Sequence, residues 1–173
     1  MRHFIFFVMF LVAAGMVPAS DPVDRFKPVR GFDADKYLGL WYEIARMPNS
    51  FEKDLVKVTA TYGLKKNGMI SVLNQGFKPE GKKKTAQGKA KFAGSRDVGH
   101  LRVSFFGPFY GDYIIVELDK ADYGYALVVG GNTKYLWILA RTPRLDEEIY
   151  QRLLEKAREL GFEIDRIYKV PHE

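Results

Sequence analysis

Val56-Lys57-Val58-Thr59-Ala60-Thr61-Tyr62-Gly63-Leu64, then Lys65-Lys66-Asn67-Gly68, then Ile70-Ser71-Val72-Leu73-Asn74 is the stretch that decides the fold class. Val56, Val58, Ala60, Tyr62 and Leu64 alternate with Lys57, Thr59, Thr61 and Gly63. That period of two is the mark of a strand with one buried face. Asn67-Gly68 suits the turn, because both residues accept positive φ. The reading is a β-hairpin, with Ile70, Val72 and Asn74 returning on the same face as Ala60 and Tyr62.

Similar runs flank the hairpin on both sides. Leu40–Met47 precedes it; Gln87–Phe92, His100–Phe105, Tyr113–Leu118, Tyr125–Val129 and Tyr135–Arg141 follow, with turn signals between them. This makes about eight strands on pattern alone. Then the period changes. Leu145, Ile149, Leu153, Ala157 and Leu160 recur every three or four residues, one face of a helix expected over about residues 146–160. Asp146 is a suitable N-cap, and Gly161 is placed to end the helix in a left-handed conformation. The run Ile164–Val170 is available to a sheet edge, and residues 20–38, rich in proline and charge, read as an arm leading into a single domain at 39–173.

Short antiparallel strands on short loops close most simply into an up-and-down barrel, which leaves no exposed edge. The expected fold is therefore all-β, an eight-stranded antiparallel barrel with a C-terminal α-helix. A barrel of that size holds one small ligand or is filled by its own side chains. An outer-membrane barrel is the rival. It needs an apolar outer face, whereas Lys57, Lys89 and Lys91 stand at outward positions, where each would cost about 2–4 kcal/mol at mid-bilayer.

Composition agrees with a globular chain: 173 residues, 47% apolar, 28% charged and 14% aromatic. There is no cysteine, which excludes disulfides, thiolate metal sites and a cysteine nucleophile. The net charge is +6. Residues 1–19 read as an export signal: Arg2 and His3, an uncharged run from Phe4 to Val17, and Val17-Pro18-Ala19 before Ser20. The alternative is a membrane anchor, for which the run is short. Ala13-Ala14-Gly15 looks like the small-residue part of a lipoprotein signal, but Met16 stands where the lipidated cysteine belongs. The expectation is a free, exported periplasmic protein, with association at an outer membrane as the alternative.

Three motifs in order resemble the lipocalin family. Gly39-Leu40-Trp41-Tyr42-Glu43-Ile44-Ala45-Arg46 is similar to its opening Gly-x-Trp motif; Leu118-Asp119 with Tyr125-Ala126-Leu127-Val128 partly matches the second conserved region; Trp137-Ile138-Leu139-Ala140-Arg141 resembles the third with its single arginine. The 62–74 hairpin resembles that of apolipoprotein D and its bacterial relatives, and Val103–Tyr110 points to the bacterial branch. The resemblance implies a carrier of fatty acids or lysophospholipids that serves membrane maintenance in the cell envelope. It also implies lipoprotein anchoring, from which Met16 departs.

Strand parity places the start of the first strand and the end of the eighth at one end of the barrel. There Trp41 and Arg141 meet, with Gly39 and Asp119 completing a closed-end motif. A guanidinium over an indole stabilises by about 0.5–2 kcal/mol. Arg141 is read as a structural plug, with anion binding as the alternative. The opposite end carries loops 47–55, 78–85, 106–111 and 130–133, and hence Phe51, Lys78, Lys82, Lys83, Lys84, Phe106, Phe109 and Tyr110. That basic and aromatic mouth suits an anionic headgroup or membrane surface; alternatively, the lysines only solubilise a hairpin. The inward, ligand-lining set is expected to be Ala60, Tyr62, Ile70, Val72, Asn74, Ala90, Phe92, Val103, Phe105, Tyr113, Ile115 and Trp137. Glu117 is in phase with Tyr113 and Ile115, and if inward it would need a partner.

Catalysis is not expected. His100 and His172 stand in no metal-ligand or triad-like setting, and Gly94-Ser95 lacks the flanks of a nucleophile elbow. No metal or cofactor is expected. The lysines are scattered and the aromatics follow barrel periodicity, so nucleic acid is not an expected partner either. The expected partners are a small hydrophobic ligand (a fatty acid or lysophospholipid), peripheral contact with an anionic membrane, and a second copy of the chain.

Overall fold

The computed structural model describes residues 21–173, so the export signal and Met16 lie outside the described residues. Eight antiparallel strands follow one another around a closed barrel: β1 (Gly39–Arg46), β2 (Val56–Leu64), β3 (Ile70–Phe77), β4 (Lys83–Phe92), β5 (His100–Phe106), β6 (Phe109–Leu118), β7 (Tyr125–Val129) and β8 (Leu136–Ala140). Each pairs with its neighbours in sequence, and β1 pairs with both β8 and β2, which closes the ring. Strands β3 and β4 are longer than the pattern suggested. Their polar ends lie beyond the alternating core, and the turn between them is only 78–82.

The 64–70 turn differs in one detail from the expected pair of positive φ angles. Only Gly68 is left-handed, at φ 78°; Asn67 instead accepts from the Met69 amide through Oδ1. Beyond the Tyr42–Thr59 pair, β1 and β2 diverge. The C-terminal strand β9 (Tyr168–Lys169) fills the gap by pairing with Ala45 and Arg46. The Val170 amide donates to Ile44 O and the Lys57 amide to Pro171 O, which sews the tail into the wall.

Two apolar cores lie on the two faces of this sheet. The outer one sits beneath helix α3 (Glu147–Glu159), whose Tyr150, Leu153 and Ala157 cover Ile114, Val116, Leu127, Val129, Leu136 and Ile138. Asp146 Oδ1 caps the helix by accepting from the Glu148 and Ile149 amides. Gly161 at φ 86° ends it, with the Phe162 amide returning to Ala157 O. The inner core is the barrel interior.

The segment expected as an arm is part of the body. It contains two short helices, α1 (Pro22–Arg25) and α2 (Ala34–Tyr37). Phe26 packs into the outer core, while Phe32 and Tyr37 enter the barrel. One-turn helices leave no periodic signal in a sequence, which is why the segment looked unstructured.

Two bulges set what faces inward. In β1 the register slips between Glu43 and Ala45; Ile44 and Ala45 join the outer core and Arg46 turns in beside Trp137. In β6 it slips between Ile115 and Glu117. Val116 therefore joins the outer core and Leu118 the inner one, which turns Glu117 out of the barrel. Outside, Arg152 on α3 is held charged chiefly by its hydrogen bond to Tyr125, with Glu117 and Asp119 adding to it.

Candidate functional site: the barrel interior and its mouth

The closed end is built from β1, the β6–β7 turn and the N-terminal segment. Arg141 Cζ lies 3.9 Å from the Trp41 ring centroid. Its guanidinium donates to three carbonyls on three segments: Leu40 O (2.8 Å), Lys36 O (2.7 Å) and Tyr123 O (3.2 Å). Trp41 Nε1 donates to Tyr37 O at 2.8 Å. Gly39, at φ 92°, passes close to Arg141 Nη1. Asp119 shapes the adjoining turn by accepting from the Ala121 and Gly124 amides rather than by meeting Arg141.

Just above this plug, Tyr113 Oη lies 2.7 Å from Tyr37 Oη and 2.9 Å from Tyr62 Oη, so three hydroxyls share their protons in one chain. Burial pushes all three phenols above the ordinary tyrosine value. The bottom of the barrel is thus filled with aromatic side chains whose polar atoms satisfy one another.

Ala60, Tyr62, Ile70, Val72, Ala90 and Ile115 belong to the interior core; Phe92, Val103, Phe105, Tyr113 and Trp137 pack against it. Asn74 pairs with Ala60 across β2–β3 and holds a buried Oδ1 with no protein partner among the described residues. Exposure is graded along the axis. Val72, Ala90, Leu101 and Ile115 are buried, whereas Asn74, Phe105 and Trp137 are half-buried and Ala86, opposite Asn74, is exposed. Solvent therefore reaches the interior from the loop end. Gly88 lets the Phe105 ring pack close against β4, since a Cβ there would lie 2.8 Å from Ser104 O and 2.9 Å from that ring. Two surface clefts, of about 460 Å³ beside Phe32 and Arg96 and about 240 Å³ beside Tyr150, lie outside this interior.

The mouth differs in detail from the expected set. Lys83 and Lys84 lie on β4, not in a loop, because β4 pairs on to Phe77–Lys83. Lys82, Lys83 and Lys84 are exposed, but Lys78 is engaged: Nζ donates to Lys53 O at 2.7 Å and lies 3.7 Å from Asp54 Oδ2. Tyr110 falls on the outer wall, under Lys89 and Lys91, because it alternates with the inward Tyr113 side of β6. Phe106 and Phe109 face each other across the Gly107-Pro108 turn and are 81% and 78% exposed. Phe51, on the 47–55 loop, is 62% exposed and stacks at 6.0 Å on Tyr135, which stacks in turn on Trp137.

A polar cluster that the pattern reading missed sits inside the open half. Glu43, Arg46 and Glu52 are 4%, 3% and 6% exposed. Arg46 Nη1 donates to Glu43 Oε1 at 2.7 Å; Nη2 donates to Glu52 O (2.7 Å) and Leu55 O (3.1 Å). Trp137 Nε1 and Asn49 Nδ2 both donate to Glu52 Oε2. Two charges three residues apart within an otherwise apolar strand were the available signal. Strict alternation from Trp41 would put Arg46 outside, and only the bulge brings it in.

With this geometry in view, likeness to known proteins becomes informative. The model of the lipocalin-like domain matches residues 32–172. The chain belongs to the lipocalin family. It is 48% identical over 151 residues to the outer membrane lipoprotein Blc of Vibrio cholerae, covering 87% of this chain and 88% of that one. To the outer membrane lipoprotein Blc of Escherichia coli K12 it is 46% identical over 158 residues, covering 91% and 88%. The lipocalin is thus of the bacterial branch. Its fold superposes on insecticyanin from the tobacco hornworm Manduca sexta with a TM-score of 0.68 at 21% identity, over 84% of each chain. As a lipocalin it binds or transports a small hydrophobic ligand and is not an enzyme. No helix among the described residues is long and apolar enough to cross a membrane.

Proposed function

We propose that this lipocalin binds and carries fatty acids or lysophospholipids in the bacterial cell envelope, in the service of membrane maintenance. The observation that carries the reading is the graded interior: an apolar inward face that is sealed by aromatics at one end and wetted at the other. An acyl chain entering past Phe105 and Trp137 gains about 0.8 kcal/mol per buried CH₂. The open acceptor of Asn74 is suited to a ligand hydroxyl. The exposed Phe51, Phe106 and Phe109 and the exposed Lys82, Lys83 and Lys84 lie at the same end of the barrel. Aromatics and lysines together favour peripheral contact with an anionic membrane, from which a lipid would enter. Relatives named as outer membrane lipoproteins support an envelope location, either soluble in the periplasm or at the outer membrane.

Native mass spectrometry of the protein, purified from its own cells without delipidation, tests this reading. The expected result is an added mass equal to a fatty acid or lysophospholipid, and the same spectrum counts the chains per particle. An empty protein that also refuses added lysophosphatidylethanolamine would contradict the reading and favour a barrel filled by its own side chains.

A further inference from the structure

The 47–55 loop lies at the mouth, and its apolar anchors stand at its two ends, where Met47 and Leu55 are buried. Phe51 at its tip is largely exposed, and Asp54 takes a left-handed φ of 62°. What holds the span between those ends is polar. Arg46 binds two of its carbonyls, Glu52 and Leu55; Trp137 binds the Glu52 carboxylate; Asn49 and Glu52 bind each other twice. At the centre one buried guanidinium bonds the Glu43 carboxyl and the Glu52 backbone, with the Glu52 carboxyl buried nearby. If both carboxyl groups ionised, the cluster would hold a net negative charge out of reach of water, which is costly. A proton on one of them removes that cost.

We propose that Glu43, Arg46 and Glu52 form a proton-dependent latch that fixes the 47–55 loop across the mouth, with Arg46 as the positioning residue, so that ligand exchange quickens when the latch ionises. Burial and the neighbouring Glu52 carboxyl hold Glu43 well above the usual carboxylate range, against the pull of Arg46. The latched loop therefore keeps its proton at a pH where a freed, solvated Glu43 would lose it, and rising pH favours release.

The other groups around the cluster are few. Tyr62 approaches from β2, and Tyr168 of β9 lies with its ring centroid 4.9 Å from Arg46 Cζ. His172 Nε2 lies 2.9 Å from Glu43 O. Lys78 binds Lys53 O beside Asp54, and Lys84 shares the inward phase of Ala86 and Gly88 at the rim. Of these, His172 carries the imidazole, so it needs its own control.

The inference rests on the carrier reading for its first readout only. That readout is stopped-flow release of a lysophosphatidylcholine with a fluorescent acyl chain, whose headgroup does not titrate in the range used. In the native protein, release should quicken at least about tenfold from about pH 5.5 to about pH 8.5, one unit of pKa difference between latched and freed loop being a factor of ten. Glu43→Gln, which mimics the protonated acid, should stay slow throughout; His172→Gln should keep the native profile; Arg46→Met should release fast at every pH. The second readout needs no lipid: amide exchange of residues 48–55 in the ligand-free protein, corrected for intrinsic rates, should rise with pH in the native chain and not in Glu43→Gln. If the probe does not bind but loop exchange behaves in this way, the latch stands and the carrier reading falls. If the probe binds, a flat native release profile, or a Glu43→Gln profile that follows the native one, overturns the latch and leaves the carrier reading intact.

Discussion

Each end of the barrel is built around one arginine and one tryptophan, and the two pairs work differently. At the closed end Arg141 lies over Trp41 and gives its hydrogen bonds to backbone carbonyls of Lys36, Leu40 and Tyr123. At the open end Arg46 stands opposite Trp137 in the β1–β8 register, but the two communicate through Glu52 and share the site with Glu43. Backbone carbonyls do not titrate, so the first pair is a permanent plug. Arg46 likewise holds two carbonyls, of Glu52 and Leu55, but its third bond goes to the Glu43 carboxyl, which does titrate, so the second pair is conditional. The difference teaches that burial of an arginine does not by itself mark a binding residue; what its donors meet decides.

The comparison is broken most violently by removing a member of each pair. Trp41→Ala opens a cavity in the sealed end and should cost about 3–5 kcal/mol of stability, read as a lower urea midpoint. Arg46→Met leaves two buried carboxyl groups uncompensated and should also cost about 3–5 kcal/mol. The two differ in lipid binding: release should quicken in Arg46→Met, while Trp41→Ala should affect release far less than stability. Arg141→Ala is milder, about 2–3 kcal/mol for lost charge-assisted hydrogen bonds and the cation–π contact, again with lipid affinity nearly unchanged.

The ends should also part company in pH. Burial raises the phenols of Tyr37, Tyr62 and Tyr113, so the closed end is fully stable below the ordinary tyrosine value of about 10 and loses stability as pH rises beyond it. Burial and Glu52 raise Glu43, so the open end loses stability earlier, as pH rises through and past the ordinary carboxylate range. Urea midpoints measured across pH should show two descents, and Glu43→Gln should abolish the lower one alone. The smallest expected effect on folding belongs to the rim. Phe106→Ser with Phe109→Ser should change stability by less than about 0.5 kcal/mol, as exposed substitutions do, yet weaken co-sedimentation with anionic vesicles. Unchanged vesicle binding would remove the hairpin tip from the membrane contact.

Much of this was legible in the sequence where a local rule has a single outcome. Period-two alternation orients Ala60, Tyr62, Ile70 and Val72, and strand parity alone brings Trp41 to Arg141. What stayed hidden has identifiable causes. A bulge is a one-residue slip with no compositional mark, and two of them turned Arg46 in and Glu117 out. The helices α1 and α2 are too short to show a period, so the residues that seal the barrel, Phe32 and Tyr37, read as an arm. Strand ends such as Lys83 and Lys84 carry no apolar alternation, so strand and loop look alike there. The inward set could be assembled residue by residue, but the polar cluster that governs its mouth depends on long-range register.

The two tryptophans offer the most direct test of the central claim, that the sealed end is structural and the open half receives the ligand. Trp41 Nε1 is bonded to Tyr37 O at one end and Trp137 Nε1 to Glu52 Oε2 at the other. In a ¹⁵N–¹H spectrum they give two indole signals. Titration with monomeric lysophosphatidylethanolamine should move or broaden the Trp137 signal and leave the Trp41 signal in place. A shift at Trp41 with Trp137 unmoved, or no change at either under saturating lipid, would contradict the account.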